Sequence, residues 1–200
     1  LPTAMNSSDV IAVDAHSHFH PCFDVRPFLE RAHSNLSAAA SQVSDDCRPA
    51  CVLFVLSTSA EPHDGFHRLQ SAFEGGAHTR GAKSKSWQRR DTSEQVSVCL
   101  MSRTEAPLVI VAGRQVVSRE GVEVLALGTR QRFDDGKTAE GLIREVKQAG
   151  AIPVLPWGVG KWLGRRGRLV EDLIESPDSP QFFLGDNANP PAFWARPSHF

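Results

Sequence analysis

The chain has 200 residues, 40% of them hydrophobic, which is enough for one packed domain, or one domain and part of another. Its 22 Lys and Arg residues nearly balance 23 Asp and Glu residues, which argues against nucleic acid or an anionic membrane as an obligatory partner. No apolar run approaches the length of a membrane span, and residues 1–9 lack the basic head and apolar core of a secretory signal.

The first elements in the chain predict a parallel β-α-β unit. Residues 10–15 and 50–56 are short apolar runs, typical of buried strands. Between them, Asp24 can cap a helix. One face of this helix is apolar and carries Phe28, Leu29, Ala32 and Leu36. Strand, helix and strand in this order favour parallel pairing of the two strands.

The next segment changes in character. Phe66, Leu69 and Phe73 can line one face of a short helix. Residues 74–95 are polar, rich in glycine and basic, so we interpret them as an exposed loop or insertion. Strand patterns return in "VSVCLM", "PLVIVAG", "RQVVS" and "VEVLALG", and residues 119–121 form a hairpin-like turn between the last two.

The last third of the chain alternates helices and strands. Residues 138–149 form an amphipathic helix that Gly150 ends, and the strand "AIPVLP" follows. After the Gly-rich loop "WGVGKWLGRRG", a second helix begins near Arg168, and "FFLGDN" is a final short strand. The order β-α-β, a β-rich middle and α-β-α-β favours an incomplete, distorted α/β barrel over an open sheet.

Three alternating histidines follow the first strand, in "VDAHSHFHPCFD". Because residues i and i+2 of an extended segment point to the same side, His16 and His18 can present their imidazoles to one cation, with His20 on the same side. Neutral imidazole suits zinc, iron or manganese, and Asp14 or Asp24 can supply a carboxylate. The alternative is a turn whose histidine rings are held by hydrogen bonds.

Two further groups are candidate substrate-binding residues. Lys161, Arg165 and Arg166 surround the amino end of the second helix, where an anion can bind. The alternative is a solvated basic turn, since glycine- and arginine-rich loops are common at surfaces. Asp186 and Asn187 end the last strand and can orient substrate, although "GDN" is also ordinary turn chemistry.

The cysteines and the chain ends bear on location and completeness. Cys22, Cys47, Cys51 and Cys99 include no CxxC pair, and we expect reduced thiols in a cytoplasmic protein. The chain begins with Leu1 and stops at "ARPSHF", shortly after a strand-like segment. We therefore expect a single domain that is truncated at its C-terminus.

The motif "VDAHSHFH" resembles the opening motif of the polymerase and histidinol phosphatase (PHP) family and, more distantly, that of the metal-dependent amidohydrolases. The segments "LVIVAGRQVVSREGVEVLALG", "IREVKQAGAIPVLPWG" and "FFLGDNANP" resemble later PHP segments in the same order. The resemblance implies a distorted α/β barrel that binds up to three divalent ions and hydrolyses phosphoesters. His16 and His18 match metal ligands of the family, and Asp24 is a loose match.

Two positions depart from the family pattern. The Glu ligand of the family falls at Gln115 and a His ligand falls at Trp157, while "LSTSAEPHD" does not match the Thr-Asp-His of the family. The resemblance therefore implies a divergent metal-dependent hydrolase of a phosphoester or another anionic small molecule, with one divalent ion or none. The alternatives are a non-catalytic PHP-like scaffold that binds an anionic ligand, and an amidohydrolase-type C–N or C–O hydrolase.

Overall fold

A computed structural model shows that the chain has a mixed α/β fold. It describes residues 10–42, 49–58, 64–73, 87–103, 105–158 and 160–186, which form eight strands and four helices. The chain divides into two compact units, Leu1–Ala112 and Gly113–Phe200. The strand β5 (Leu108–Val117) crosses from the first unit into the second.

The N-terminal unit contains the predicted β-α-β arrangement. Its elements are β1 (Val10–Ser17), α1 (Val25–Ser41), β2 (Pro49–Thr58), α2 (Gly65–Ser71), β3 (Gln88–Asp91), β4 (Ser97–Met101) and the first part of β5. The strands β1 and β2 pair in parallel, with Val13 opposite Leu53. The parallel pair joined by a helix is confirmed, and β4 adds an antiparallel partner to β5.

The core of this unit forms where α1 packs its apolar face. Leu29 and Leu36 are buried, and Phe28 and Ala32 are partly buried against the same cluster, as the helical spacing predicts. Phe54 and Leu56 of β2 belong to this cluster, so the strand and the helix share one core. Helix α2 adds Phe66 and Leu69, whereas Phe73 lies past its end and is partly buried.

Part of the predicted insertion is a strand. Residues 74–86 lie outside the described residues, but Gln88–Asp91 form β3, which pairs antiparallel with β4. Trp87, directly before it, is buried among core residues. The prediction of a loop through residue 95 was wrong here, because pairing with β4 satisfies the backbone of a polar sequence that has no strand pattern of its own.

The C-terminal unit has mixed strand directions. Its elements are the second part of β5, β6 (Glu123–Leu127), α3 (Ala139–Gln148), β7 (Ile152–Trp157), α4 (Arg165–Glu175) and β8 (Phe183–Asp186). The strand order is β5-β6-β7-β8, with β5-β6 and β6-β7 antiparallel and β7-β8 parallel. An ideal β/α barrel has parallel strands only, so the structure shows the α/β class without that strand arrangement.

Two local predictions for this unit are confirmed: the hairpin turn at residues 119–121 and the helix that Gly150 ends. "PLVIVAG" and "RQVVS" are parts of one strand, β5, and the turn after it is closed by a hydrogen bond from Ser118 N to Val122 O. Gly121 in this turn has φ 76°, a conformation that glycine adopts without strain. Helix α3 begins after Thr138, and Gly150 follows its end with φ 73°.

Helix α4 begins earlier than predicted. It starts at Arg165, where the sequence pattern placed the start near Arg168. Gly164 precedes it with φ 60°, and a Cβ at Gly167 would lie 2.5 Å from the Trp162 carbonyl oxygen. These two glycines let the chain turn sharply into the helix, so Arg165 and Arg166 lie in its first turn.

Among the described residues, no helix is long and apolar enough to cross a membrane.

Candidate functional site

The histidines at the end of β1 come together as the alternating spacing predicts. The ring centres of His16 and His18 are 5.2 Å apart, with 65° between the ring planes. His20 stacks on His18, with 5.8 Å between the ring centres. His16 and His18 are partly buried, whereas His20 is exposed. The chain therefore presents three imidazoles in a row where the parallel strand β1 ends.

Asp14 holds the backbone that carries these rings. Its carboxylate accepts a hydrogen bond from the His16 backbone N–H at 3.0 Å and another from the Ser17 hydroxyl at 2.5 Å. The contact with Ser17 reaches past His16 and closes a local loop at the end of β1. Asp14 therefore supports the histidine pair through the backbone and the neighbouring hydroxyl.

Arg68 of α2 contacts the same loop, a contact that the sequence does not predict. Its guanidinium carbon lies 4.5 Å from the centre of the Phe19 ring, and its Nη2 donates to the Pro21 carbonyl at 3.5 Å. Phe19 itself is buried. No local pattern links position 68 to residues 19–21, because the contact joins segments far apart in the chain. Arg68 thus clamps the loop that follows His18.

The assignment of Asp24 as a metal ligand stays a prediction. Asp24 is exposed and precedes α1 as the N-cap, and its carboxylate makes no capping hydrogen bond. Within the ranges that the structure describes, no group of three or more His, Cys, Asp or Glu side chains could hold a metal ion. Cys22 is exposed with a free thiol.

Two of the three basic side chains in the basic loop of the C-terminal unit have partners, one in β6 and one in the loop itself. Lys161 Nζ lies 2.5 Å from Glu123 Oε2, so its charge is largely balanced, and Arg166 donates to the Gly160 carbonyl at 2.8 Å. Arg165 is exposed, and its guanidinium forms no hydrogen bond or ion pair within the described part of the chain. Of the three predicted anion-binding residues, Arg165 is therefore the one whose charge is available.

Glu123 was not singled out from the sequence as a partner for this loop. It lies at the start of β6, and its contact with Lys161 spans 38 positions. Opposite charges are the only signal that could have connected the two residues, and many other pairs in the chain share that signal.

Trp157 and Asp186 lie at the carboxyl ends of the neighbouring strands β7 and β8. Trp157 ends β7 and is 3% exposed, so its indole is buried at the carboxyl end of this strand. In the parallel register it lies opposite Asp186, which is exposed at the end of β8. Asn187 lies outside the described residues. Gln115 is partly buried within β5.

Comparison with protein-family models, with curated proteins and with solved structures found no match. The functional interpretation of the chain therefore rests on the chemistry of its own residues.

Proposed function

We propose that the chain is a divergent metal-dependent hydrolase with a PHP-type α/β-barrel ancestry, acting on a phosphoester or another anionic small molecule. In this proposal, His16 and His18 bind one divalent cation, which is zinc, manganese or iron. The observation that carries it is the placement of two imidazoles side by side at the end of a parallel strand.

The spacing of the two rings suits a shared cation. Two imidazoles on one tetrahedral zinc ion, each with a Zn–N distance of about 2.1 Å, have ring centres about 5 Å apart. The ring centres of His16 and His18 are 5.2 Å apart. The separation of the two ring centres is therefore compatible with both rings binding one cation.

The protein residues around the pair have supporting roles. A divalent cation bound there would act as a Lewis acid toward water and toward the scissile ester. Asp14 keeps His16 in position through the backbone N–H, and Arg68 fixes the loop after His18. These contacts already restrict the backbone that carries the two rings. Binding a cation would therefore cost less conformational entropy.

Hydrolysis of an aryl phosphate monoester, such as p-nitrophenyl phosphate, tests this proposal. We expect turnover that a chelator abolishes and that added zinc, manganese or iron restores. The double variant His16→Ala and His18→Ala should lose turnover by at least about a hundredfold. His67→Ala is the matched control, because His67 is exposed on α2, away from the pair in sequence. Turnover that survives both chelation and the double variant would exclude the proposal.

A second candidate is a non-catalytic scaffold that binds an anionic ligand through the C-terminal unit. The buried Trp157 favours it, because an indole cannot act as a metal ligand at the end of β7. Arg165 supplies an available guanidinium in the first turn of α4, and that turn contains no acidic residue.

The two candidates predict opposite effects of chelation on ligand binding. In the scaffold, phosphate or vanadate binds equally well with and without chelator, and Arg165→Gln weakens it by about threefold to fivefold. Arg168→Gln is the control, since Arg168 is an exposed arginine of the same helix. Binding that requires added metal would favour the hydrolase instead.

A further inference from the structure

A cleft of about 570 Å³ lies in the C-terminal unit, between the end of α3 and the beginnings of β7 and β8. Six of the residues that line it are Lys147, Gly150, Ile152, Pro153, Gln181 and Phe183. Its volume falls within the range of about 300 to 1,000 Å³ that is typical of small-molecule sites. The cleft is at the amino ends of the parallel strands β7 and β8, whereas Trp157 and Asp186 are at their carboxyl ends.

The cleft exposes apolar side chains. Ile152 is 49% exposed and Phe183 is 65% exposed, and both line the same cleft. Leu127, which pairs with Ile152, is partly buried, and Val154, which pairs with Phe183, is buried. Ile152 and Phe183 are therefore the residues of these pairs that expose apolar surface to solvent. Covering that surface with an apolar molecule would be favourable in proportion to the area removed from water.

One positive charge lies at the rim. Lys147 is exposed in the last turn of α3, and its ammonium has no hydrogen bond or ion pair within the described ranges. Gly150, also in the lining, has no side chain to cover the cleft beside the end of the helix. An apolar wall with one unpaired cation at its edge is complementary to a molecule with an apolar body and one negative group.

We propose that this cleft binds a small amphipathic anion, with an aromatic or aliphatic body against Ile152, Pro153 and Phe183 and a carboxylate or sulfonate at Lys147. The residues that carry this site are separate from the histidine pair and from the basic loop. A test of this cleft therefore does not depend on whether the proposed hydrolase activity is found.

Two fluorescent dyes of similar shape test both parts of the site. Anilinonaphthalene sulfonate has an apolar body and one negative charge, and N-phenylnaphthylamine has the same kind of body without the charge. We expect Lys147→Gln to weaken binding of the sulfonate by about threefold to fivefold and to leave binding of the neutral dye unchanged. Phe183→Ser should weaken binding of both dyes by about tenfold or more.

Two control variants separate the cleft from general surface properties. Arg168→Gln removes one exposed positive charge on α4, and Leu163→Ser removes an exposed apolar side chain before α4. Neither should change the affinity for either dye. Absence of dye binding to the wild type, binding that Phe183→Ser leaves unchanged, or an equal loss in Lys147→Gln and Arg168→Gln would overturn the proposal. Naphthoate should displace both dyes, and displacement of both by inorganic phosphate alone would also overturn it.

Discussion

His16 and His18 are neighbours because side chains two positions apart in an extended chain point to the same side. This relation is local, so the sequence was sufficient to predict the pair, and the rings lie as it predicts. This local relation does not extend to Asp24, the predicted carboxylate ligand. Asp24 lies beyond the turn at residues 20–23. The direction of a side chain after a turn depends on the backbone angles of the turn, which the amino-acid sequence alone does not specify.

Asp14 supports the histidine pair, and removing its carboxylate should weaken both the fold and the proposed site. We expect Asp14→Ala to lower the free energy of unfolding by about 1 to 2 kcal/mol, since the His16 N–H and the Ser17 hydroxyl lose their acceptor. The affinity for zinc should fall by about tenfold. Thermal unfolding and metal titration measure the two effects, and Asp172→Ala, at an exposed position of α4, is the control. An unchanged metal affinity would show that Asp14 has no part in the site.

The described free cysteines should differ in reactivity. Burial raises the pKa of the Cys99 thiol, so at neutral pH it carries less of the reactive thiolate, and it is also shielded from solvent. Cys22 is exposed. We expect iodoacetamide to label Cys99 in the native protein at least about tenfold more slowly than Cys22, as followed by peptide mass spectrometry. The two rates should converge in denaturant, and equal rates in the native protein would contradict the described burial.

At the scale of elements, the sequence predicts structure best where the signals are local. Helix α3 was predicted because its apolar stripe and the glycine after it all fall within a few residues of one another. The strand β3 was missed because its sequence is polar and has no apolar alternation, so only its pairing with the neighbouring strand β4 marks it as a strand. The start of α4 was misplaced because Gly164 and Gly167 form a sharp turn that resembles a loop in the sequence.

Thr138 caps α3, and its loss should be measurable. Its hydroxyl oxygen accepts the backbone N–H of Gly141 at 3.0 Å, which satisfies one of the first four unpaired donors of the helix. We expect Thr138→Ala to lower the free energy of unfolding by about 1 kcal/mol in urea denaturation. Glu171→Ala, at an exposed position of α4, should change it by less than about 0.5 kcal/mol. Equal effects of the two variants would refute the capping role.

Glu120 connects the β5-β6 hairpin to the same helix end. Its carboxylate accepts the Ala139 backbone N–H at 3.0 Å. Burial by itself would raise the pKa of Glu120, but hydrogen bonds from Ser118, from its own backbone, from Ala139 and from Arg119 outweigh it and lower the pKa below its ordinary value.

A lowered carboxylate pKa links this contact to pH. The ionised Glu120 carboxylate stabilises the folded protein. This contribution is fully present above the pKa of glutamate in the unfolded chain, and it is lost as the pH falls through the lower pKa of the folded state. We expect Glu120→Gln to destabilise the protein by about 1 kcal/mol at neutral pH and to lose that difference on acidification. Urea denaturation of both proteins across the acidic range provides the measurement. A difference that grows as the pH falls would show that the sign of this linkage is wrong.

At the scale of the whole molecule, the α/β class followed from the order of apolar runs and amphipathic stripes, but strand direction did not. The antiparallel pairing of β6 with both neighbours in its unit depends on which segments meet, and no single segment encodes that choice. The same limit applies to the site. Lys161 was predicted to bind an anion, whereas Glu123, 38 positions away, already balances its charge.

The division into two units separates the two functional hypotheses. The histidine pair belongs to the N-terminal unit, and the basic loop and the cleft at Lys147 belong to the C-terminal unit. A variant in one unit can therefore be tested against a ligand assigned to the other. Lys147→Gln should leave metal content unchanged, for example, and the double histidine variant should leave dye binding unchanged.

Calorimetric titration of the metal-free chain with zinc tests the central claim most directly. We expect one zinc ion per chain, with affinity reduced by at least about a hundredfold in the His16→Ala and His18→Ala double variant and unchanged in His67→Ala. Zinc binding of equal strength and stoichiometry in the wild type and the double variant would contradict it.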